Sequence, residues 1–227
     1  MKRKNKTVLV CAAHPDDEVL GCGGTIARHV SDGDIVKLVV MTDGVSSREK
    51  SSRLKKQERR QALRQAAKAL GVQGIYHFQF PDNQMDIVPL LKIVQTIEPI
   101  IQREAPAIVY THHDGDLNVD HRRTQAAVLT ACRPQPNCTV KEIYGFEVLS
   151  STEWATPQTV AFSPSLFVDI SAYLSIKLNA LRAYKGEIKP APHSRSLEHA
   201  EALARHRGFT MGLHAAEAFV TYRRIQK

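Results

Sequence analysis

The sequence predicts an α/β fold: a Rossmann-like, mostly parallel sheet flanked by helices on both faces. Short apolar runs rich in β-branched residues alternate with longer helical stretches along the 227 residues, and this alternation is typical of βαβ units with parallel strands. No internal repeat, low-complexity segment or linker interrupts the pattern. A chain of this length can bury one sizeable core. We therefore expect a single domain over residues 1–227.

The elements follow from this alternation in chain order. The apolar run Val-Leu-Val-Cys-Ala predicts the first strand, and comparable runs predict the others, which together cover 8–12, 35–41, 75–80, 107–111, 142–148 and 166–170. The predicted helices cover 19–31, 51–70, 87–104, 121–132, 172–184 and 197–207. Gly71 stands where a C-cap glycine belongs. The glycines of 21–24 should allow a helix to approach the sheet closely, and two prolines predict a loop over 186–195.

The formal net charge of +8 raises the question of nucleic-acid binding. The basic residues are scattered over the N-terminus, residues 48–64, Arg122, Arg123 and the C-terminus, and aromatic residues for base stacking are few. We therefore expect no nucleic-acid partner. Attraction to an anionic small substrate, such as a phosphorylated or nucleotide-linked sugar, accounts for the same charge.

No apolar run is long enough to span a membrane. The basic residues 1–6 lead straight into the first predicted strand, without the apolar region of a signal peptide, so we expect a cytoplasmic protein. The four cysteines, Cys11, Cys22, Cys132 and Cys138, include no Cys-x-x-Cys pair. Neither a disulfide framework nor a thiolate zinc site is expected.

Three polar clusters follow predicted strands, at 14–18, 42–44 and 112–121. The carboxyl ends of parallel strands meet at one edge of a sheet, where ligands bind. The first cluster packs one imidazole and three carboxylates, which in a dry cleft would need a compensating cation. A divalent metal would supply it, with His14 and one aspartate as ligands and the other aspartate as a base. Alternatively, the motif is a polar turn with an aspartate as helix N-cap.

The third cluster holds three histidines and three aspartates within residues 111–121. A lone histidine in such a place is more often a hydrogen-bonded core or surface residue. His121 differs, because it lies just inside a predicted helix, beside Asp120, at the sheet edge that already holds His14. Two histidines and one carboxylate would leave a fourth position open for water, as in catalytic zinc sites.

These motifs resemble those of the PIG-L/LmbE-type N-deacetylase family. The resemblance rests on Ala-His-Pro-Asp-Asp-Glu at 13–18 and Asp-Leu-Asn-Val-Asp-His at 116–121, with support from Thr-Asp-Gly at 42–44, Pro-Asp at 81–82 and His-Ser-Arg-Ser at 193–196. It implies a zinc hydrolase that removes an acetyl group from an N-acetylglucosamine-type conjugate. It also implies one Zn²⁺ per chain, although other divalent ions would suit the same ligands. A homo-oligomer, with the late loop completing a neighbour's site, is compatible with the family.

Carried over residue by residue, the resemblance makes His14, Asp17 and His121 the zinc ligands. Asp16 becomes the general base that deprotonates the zinc-bound water. Glu18 and Asp120 would orient the ligands, or would be ordinary acids of a helix N-terminus.

The chain departs from the family at Asn118, where many members carry a histidine. An asparagine can donate a hydrogen bond to an oxyanion but cannot deliver a proton. The general acid must then be another group. His193 is the first candidate and His113 the second, unless Asp16 acts twice. Their alternative roles are a loop residue for His193 and a substrate or ligand contact for His113.

Further residues are assigned to the substrate. Arg195 suits a phosphate or a sugar hydroxyl, with a surface salt bridge as the alternative. Arg60 is a weaker candidate because the acid that follows it in the family is missing. Trp154 would line a sugar site or simply pack, and Asp43 would support the site from the second strand.

Three alternatives to this function are considered at the level of the sequence. The same chemistry could act on another amide, such as a thiol-cofactor precursor, a chitin-type oligosaccharide or an antibiotic intermediate. A metal-dependent phosphoesterase would use similar clusters but usually two metal ions. A non-enzymatic nucleotide binder would need a phosphate-binding glycine loop, for which 21–24 is a poor match.

Overall fold

The computed structural model describes residues 5–48 and 52–226. Within them, seven strands form one sheet in the order β3-β2-β1-β4-β5-β7-β6. The strands are β1 Thr7–Ala12, β2 Ile35–Thr42, β3 Gly74–Phe80, β4 Ile108–His112, β5 Glu142–Phe146, β6 Leu166–Asp169 and β7 Ala216–Arg224. β1 to β5 pair in parallel, whereas β7 runs antiparallel to both β5 and β6. The predicted mostly parallel sheet is confirmed.

Helices cover both faces of this sheet. They are α1 Asp17–Ser31, α2 Arg53–Leu70, α3 Leu90–Glu104, α4 Val119–Ala131, α5 Leu174–Leu181 and α6 Leu197–Phe209, with 3₁₀ turns at Met85–Ile87 and Thr152–Trp154. β1 shows the two-sided burial directly, since Val8 and Val10 join the core beneath α1, α2 and α5, and Leu9 and Cys11 join the core beneath α3 and α4. Successive strand residues point to opposite faces, so a strand covered on both sides is apolar throughout.

The element boundaries differ from the predicted ones in a few places. β7 was not predicted at all. The third helix begins at Leu90 and not at 87, because residues Met85–Ile87 form a separate 3₁₀ turn before Pro89. The fifth strand ends at Phe146. The predicted start of the second helix at 51 and the basic residues 1–4 lie outside the described residues.

The glycines of α1 allow it to lie close to the sheet, as predicted. A Cβ on Gly21 would come within 2.2 Å of the Phe146 ring, and one on Gly24 within 2.7 Å of Ile170 Cδ1. Contacts this short exclude any side chain without a shift of the helix. The close approach brings the first turn of α1, with Asp17 and Glu18, against the carboxyl end of the sheet.

The structure also bears on the expectations about membrane spans and cysteines. Among the described residues, no helix combines the length and apolarity needed to cross a membrane. All four cysteines are free, and three of them, Cys11, Cys22 and Cys132, are buried.

Candidate metal centre and catalytic pocket

Two of the three predicted clusters meet at the carboxyl ends of β1 and β4. His14 follows β1 directly and Asp17 opens α1, while His121 stands in the first turn of α4, which follows β4. All three side chains are buried. The parallel order of β1 and β4 therefore joins residues 107 positions apart in the sequence.

The ligand atoms of these three side chains form a nearly equilateral triangle. His14 Nδ1 lies 3.2 Å from His121 Nε2 and 3.2 Å from Asp17 Oδ2, and His121 Nε2 lies 3.2 Å from the same Asp17 oxygen. Ligands of a tetrahedral zinc ion with bonds of about 2.0–2.1 Å stand about 3.3 Å apart. The described donor set fits one divalent ion, and two imidazoles with one carboxylate is a donor set that zinc, iron, cobalt and manganese accept.

The second ring nitrogen of each histidine, which points away from the triangle, bonds a carboxylate. The Nε2–H of His14 donates to Asp120 Oδ2 at 3.1 Å, and the Nδ1–H of His121 donates to Asp116 Oδ1 at 3.0 Å. Asp120 in turn accepts the backbone N–H groups of Asn83 and Met85. A carboxylate on the far nitrogen selects the tautomer and orients the ring, which is the usual arrangement for histidines that bind metal.

The electrostatics of the triangle call for positive charge. Burial alone would lower the pKa of His14, but its bonds to Asp120 and Asp17 raise that pKa to about 10. Burial opposes ionisation of His121 in the same way, yet Asp17 and Asp116 raise its pKa to about 9. Burial would raise the pKa of Asp17, but both histidines hold it well below its usual range. The carboxylates therefore stabilise a cation at this point, whether on the imidazoles or on a metal ion.

Asp16 occupies the N-cap position of α1, but its carboxylate does not cap the helix. It has the positive φ of 117°, and its side chain makes no capping hydrogen bond. Its Oδ2 instead contacts Arg59 Nη2 at 3.0 Å and Arg195 Nη1 at 3.1 Å, while its buried Oδ1 has no hydrogen-bond partner among the described residues. One oxygen is thus fixed in place and the other is available.

A cavity of about 110 Å³ opens in front of the triangle. Its lining includes His14, Asp16, His121, Arg59, Arg195, Asp82, Asn83, Asn118, Ser150, Ser151 and Glu187. Three non-glycine residues with positive φ line it: Asp16 at 117°, Asn83 at 53° and Ser150 at 65°. Such conformations cost free energy and persist where the surrounding structure enforces them, which is common at functional sites.

Besides Asp16, the residues considered near the leaving group were Asn118, His193 and His113, and of these three Asn118 lines the cavity. Its Oδ1 caps α4 at Asp120 N, and its Nδ2 donates to Asn83. His193 lies outside, on the rim beside Trp154. His113 is buried behind the site and bonds Val160 O at 2.8 Å. The structure therefore separates both candidate histidines from Asp16.

The two predicted arginines have different positions. Arg195 contacts Asp16 and lines the cavity. Arg60 is exposed on α2 and lies outside the cavity, whereas its neighbour Arg59 is buried and bonds Asp16. Arg59 also pairs with Glu187 at 3.1 Å. Neither Arg59 nor Glu187 was predicted.

The remaining candidates, Glu18, Asp43 and Trp154, lie outside the lining of the cavity. Glu18 accepts the backbone N–H of Asp16 at 2.9 Å and the hydroxyl of Tyr184, and burial raises its pKa to about 7. Asp43 caps its own loop by accepting from Val45 and Ser46, and does not line the cavity. Trp154 is half-exposed on the rim. The structure adds Asp116, which was quoted in the motif without a role.

The profile described as PIG-L: GlcNAc-PI de-N-acetylase matches residues 9–132, more than half of the chain. The chain belongs to the PIG-L family. The matched segment contains the three triangle residues, Asp16 and both supporting carboxylates, so the predicted family is confirmed.

Relatives of this PIG-L protein are named as deacetylases. It is 33% identical over 189 residues to an uncharacterized deacetylase, YaiS, of Escherichia coli, covering 80% of this chain and 92% of that one. It is 29% identical over 203 residues to the diacetylchitobiose deacetylase of Thermococcus kodakarensis, covering 80% of this chain and 70% of that one. The chain is accordingly an enzyme of the deacetylase type, as predicted.

One solved structure shows that the fold alone does not decide the activity. The 4-carboxy-2-hydroxymuconate hydratase of Pseudomonas putida superimposes with a TM-score of 0.79 and 21% identity, covering 98% of each chain. At that identity the likeness concerns the fold only. The substrate of this PIG-L protein must therefore be argued from its site.

Proposed function

We propose that the chain is a zinc-dependent hydrolase that removes the N-acetyl group from an N-acetylglucosamine-type amino-sugar conjugate. The observation that carries this proposal is the triangle of His14, Asp17 and His121 with the free oxygen of Asp16 beside it. An amino-sugar substrate is supported by the family description, GlcNAc-PI de-N-acetylase. It is also supported by the relative that is named diacetylchitobiose deacetylase.

His14, Asp17 and His121 would hold the zinc ion. When bound there, zinc polarises an amide carbonyl and lowers the pKa of water. The other contributions come from the chain itself. Asp120 and Asp116 keep the two imidazoles oriented, with their ligating nitrogens toward the triangle.

Asp16 acts as the general base. Arg59 and Arg195 hold its Oδ2, so the free Oδ1 accepts a proton from the attacking water molecule. The same two guanidinium groups keep the carboxylate from turning away. Asp16 is thus placed for proton transfer by the strained backbone at φ 117° and by two fixed cations.

Proton delivery to the leaving amine falls to Asp16 as well. Neither His193 nor His113 lines the cavity, and Asn118 has no titratable proton. Once Asp16 carries the proton of the attacking water, returning it to the amine nitrogen completes the hydrolysis. Asn118 Nδ2 retains a second N–H beyond the one given to Asn83, and we assign it to the developing oxyanion.

The arginines also favour an anionic or hydroxyl-rich substrate. Arg48, Arg59 and Arg195 surround the cavity, and Glu187 balances part of their charge. An oxygen-rich group on the sugar would meet guanidinium donors at the entrance. This supports an amino-sugar conjugate over an apolar amide, while a thiol-cofactor precursor, a chitin-type oligosaccharide and an antibiotic intermediate remain the competing amide substrates.

The phosphoesterase alternative is weaker. A second group of acidic ligands, Asp82 and Asp120, uses the opposite nitrogen of the same His14. That nitrogen already donates to Asp120, and Asp120 accepts two backbone N–H groups. A two-metal mechanism would have to break these bonds. The cytoplasmic location and the homo-oligomer stay predictions.

Amine release from a panel of N-acetylglucosamine conjugates tests the proposal. The panel contains the free sugar, a phosphoinositol-like conjugate, a nucleotide-linked sugar and an oligomer, and metal content is measured on every preparation. We expect Asp16→Asn to retain the metal and lose nearly all turnover, whereas Asp17→Ala loses both. Full activity of metal-loaded Asp16→Asn would remove the proposed base. Failure of the parent chain to hold one metal ion would overturn the mechanism.

A further inference from the structure

A second recess lies beside the catalytic cavity. It has a volume of about 530 Å³ and is lined by Glu153, Trp154, Pro192, His193, Ser194 and His199. The 3₁₀ turn Thr152–Trp154 forms one wall, and the loop before α6 forms the other. We call it the Trp154 recess. Its volume is within the range of about 300–1,000 Å³ that is typical of small-molecule sites.

Trp154 presents an aromatic surface to this recess. Its residue is 52% exposed, although tryptophan is among the most strongly buried side chains on average. The His193 ring stands edge-on to it, with centroids 6.3 Å apart and an interplanar angle of 65°. The Trp154 ring offers an apolar face, and the His193 ring offers polar nitrogen atoms at its edge. A sugar ring has the complementary surfaces, an apolar C–H face and hydroxyl groups around its edge.

The two walls are held in fixed positions. The Glu153 carboxylate accepts the backbone N–H of Ser150 at 2.6 Å, the N–H of Ser151 at 3.2 Å and the hydroxyl of Ser194 from the opposite wall. The backbone N–H of Arg195 donates to His193 Nδ1 at 2.9 Å. Nδ1 is therefore the acceptor nitrogen of His193, and Nε2 is left as the ring's hydrogen-bond donor.

The recess adjoins the catalytic cavity. Arg195 Nε donates to Ser150 Oγ at 2.9 Å, and Arg195 Nη1 reaches Asp16. Ser150 and Arg195 both line the catalytic cavity, and their near neighbours in sequence, Trp154 and His193, line the recess. The recess therefore lies next to the Ser150 and Arg195 side of the catalytic cavity.

The catalytic cavity is too small for a substrate of two rings. Its volume of about 110 Å³ is below the roughly 300 Å³ of typical ligand pockets. We infer that the Trp154 recess binds a second pyranose ring, which is glycosidically linked to the N-acetylated sugar and stacks on Trp154. This inference rests on the proposed function, and it makes Trp154 and His193 determinants of specificity that take no part in the reaction.

The chain provides a direct probe, because Trp154 is its single tryptophan. Tryptophan emission of the metal-loaded protein is titrated with N,N′-diacetylchitobiose and, separately, with N-acetylglucosamine. We expect the disaccharide to quench or shift the emission in a saturable manner, and the monosaccharide to leave it nearly unchanged at equal concentration. An emission spectrum that neither sugar changes would overturn the inference.

Steady-state kinetics with Trp154→Ala provide a second readout. The variant should raise KM for the disaccharide about tenfold, with kcat and the KM for the monosaccharide little changed. Trp154→Phe should recover part of the loss, since it restores an aromatic face. Phe209→Ala is the matched control, because Phe209 is an exposed aromatic residue (64%) outside both cavities. An equal KM for the disaccharide in Trp154→Ala and the parent would refute the second-ring site.

The two proposals fail in different ways. Absence of amine release from every N-acetylated sugar counts against the proposed function, while the emission titration still decides whether the recess binds a second ring. Amine release without any emission change leaves the deacetylase in place and removes the recess from substrate binding.

Discussion

Replacement of Glu217 on β7 by alanine should destabilise the protein strongly, because its carboxylate bonds the backbone of helix α1. Helix α1 is interrupted at Cys22, which has φ −147° and ψ 26°. In an unbroken helix the N–H of Gly24 would bond the carbonyl of Leu20. Here Gly24 N donates to Glu217 Oε1 at 3.0 Å, and Leu20 O accepts from Lys177 Nζ at 2.8 Å. Glu217 and Lys177, which form an ion pair, thus replace the missing hydrogen bond of the helix.

The magnitude follows from what the substitution leaves behind. Glu217 also accepts from Thr25 N at 2.7 Å and from Lys177 Nζ at 2.6 Å, and both Glu217 and Lys177 are buried. Removal of one partner of a buried pair costs about 3–5 kcal/mol, because the other charge stays buried. Two backbone N–H groups lose their acceptor in addition. We expect a loss of about 4 kcal/mol in the free energy of unfolding and a decrease in Tm of roughly 8–16 °C.

Urea denaturation and calorimetry of Glu217→Ala measure this loss directly. Glu201→Ala is the control, because its pair with Arg205 is an exposed i,i+4 contact at 2.7 Å and should contribute less than about 1 kcal/mol. The double variant Lys177→Met/Glu217→Gln should be more stable than Glu217→Ala, since no charge stays unpaired. A loss below about 1 kcal/mol in Glu217→Ala, equal to that of the control, would refute the argument.

The remaining predictions concern the candidate site and the close packing of helix α1. Arg59→Ala should lower kcat/KM at least tenfold because Asp16 loses a guanidinium partner, whereas Arg60→Ala should change it less than about twofold, as steady-state kinetics would show. Asp116→Asn should weaken metal binding about 10- to 100-fold in a competition with a chromophoric chelator, because the charge behind a ligand histidine is lost; unchanged affinity would contradict that role. Gly24→Ala should cost about 1–3 kcal/mol in urea denaturation, since its Cβ would meet Ile170 at 2.7 Å.

The grouping of His14, Asp17 and His121 could be predicted from the sequence because its determinants are local. His14 and Asp17 stand three residues apart at the junction of β1 and α1, and His121 stands in the corresponding turn after β4. A parallel pairing of β1 with β4 is then enough to bring the three together. No long-range detail of packing enters this inference.

On α2 the sequence analysis selected Arg60, whereas Arg59 contacts Asp16, although the sequence contained the signal for Arg59. The apolar residues Leu63, Ala66 and Leu70 form the buried face of α2. Residue 59 lies four positions before Leu63 and shares its face, while residue 60 points about 100° away. Helical phase therefore selects Arg59, and the resemblance to a family motif had taken precedence over it.

The substrate side of the site depends on contacts that no single segment encodes. Ser150, Glu187 and Arg195 come from loops after β5 and before α6. Their mutual position follows from the packing of α5 on α1 and α2, from that of α6 on β6 and β7, and from the antiparallel end of the sheet. Residue types in these loops can suggest a sugar contact, as Trp154 did, but they do not show which side chains meet Asp16.

β7 was missed for a related reason. Its sequence, Ala-Glu-Ala-Phe-Val-Thr-Tyr-Arg-Arg, places a carboxylate at the second position, and a charged residue near the start of a strand suggests a solvent-exposed face. Glu217 is nevertheless buried, because its partners are the interrupted backbone of α1 and Lys177 of α5. The break at Cys22 leaves N–H groups of α1 without helical acceptors, and a buried carboxylate on the neighbouring strand satisfies them. The buried charge of Glu217 is therefore explained by the break in α1 at Cys22. The sequence of β7 alone contains no information about that break.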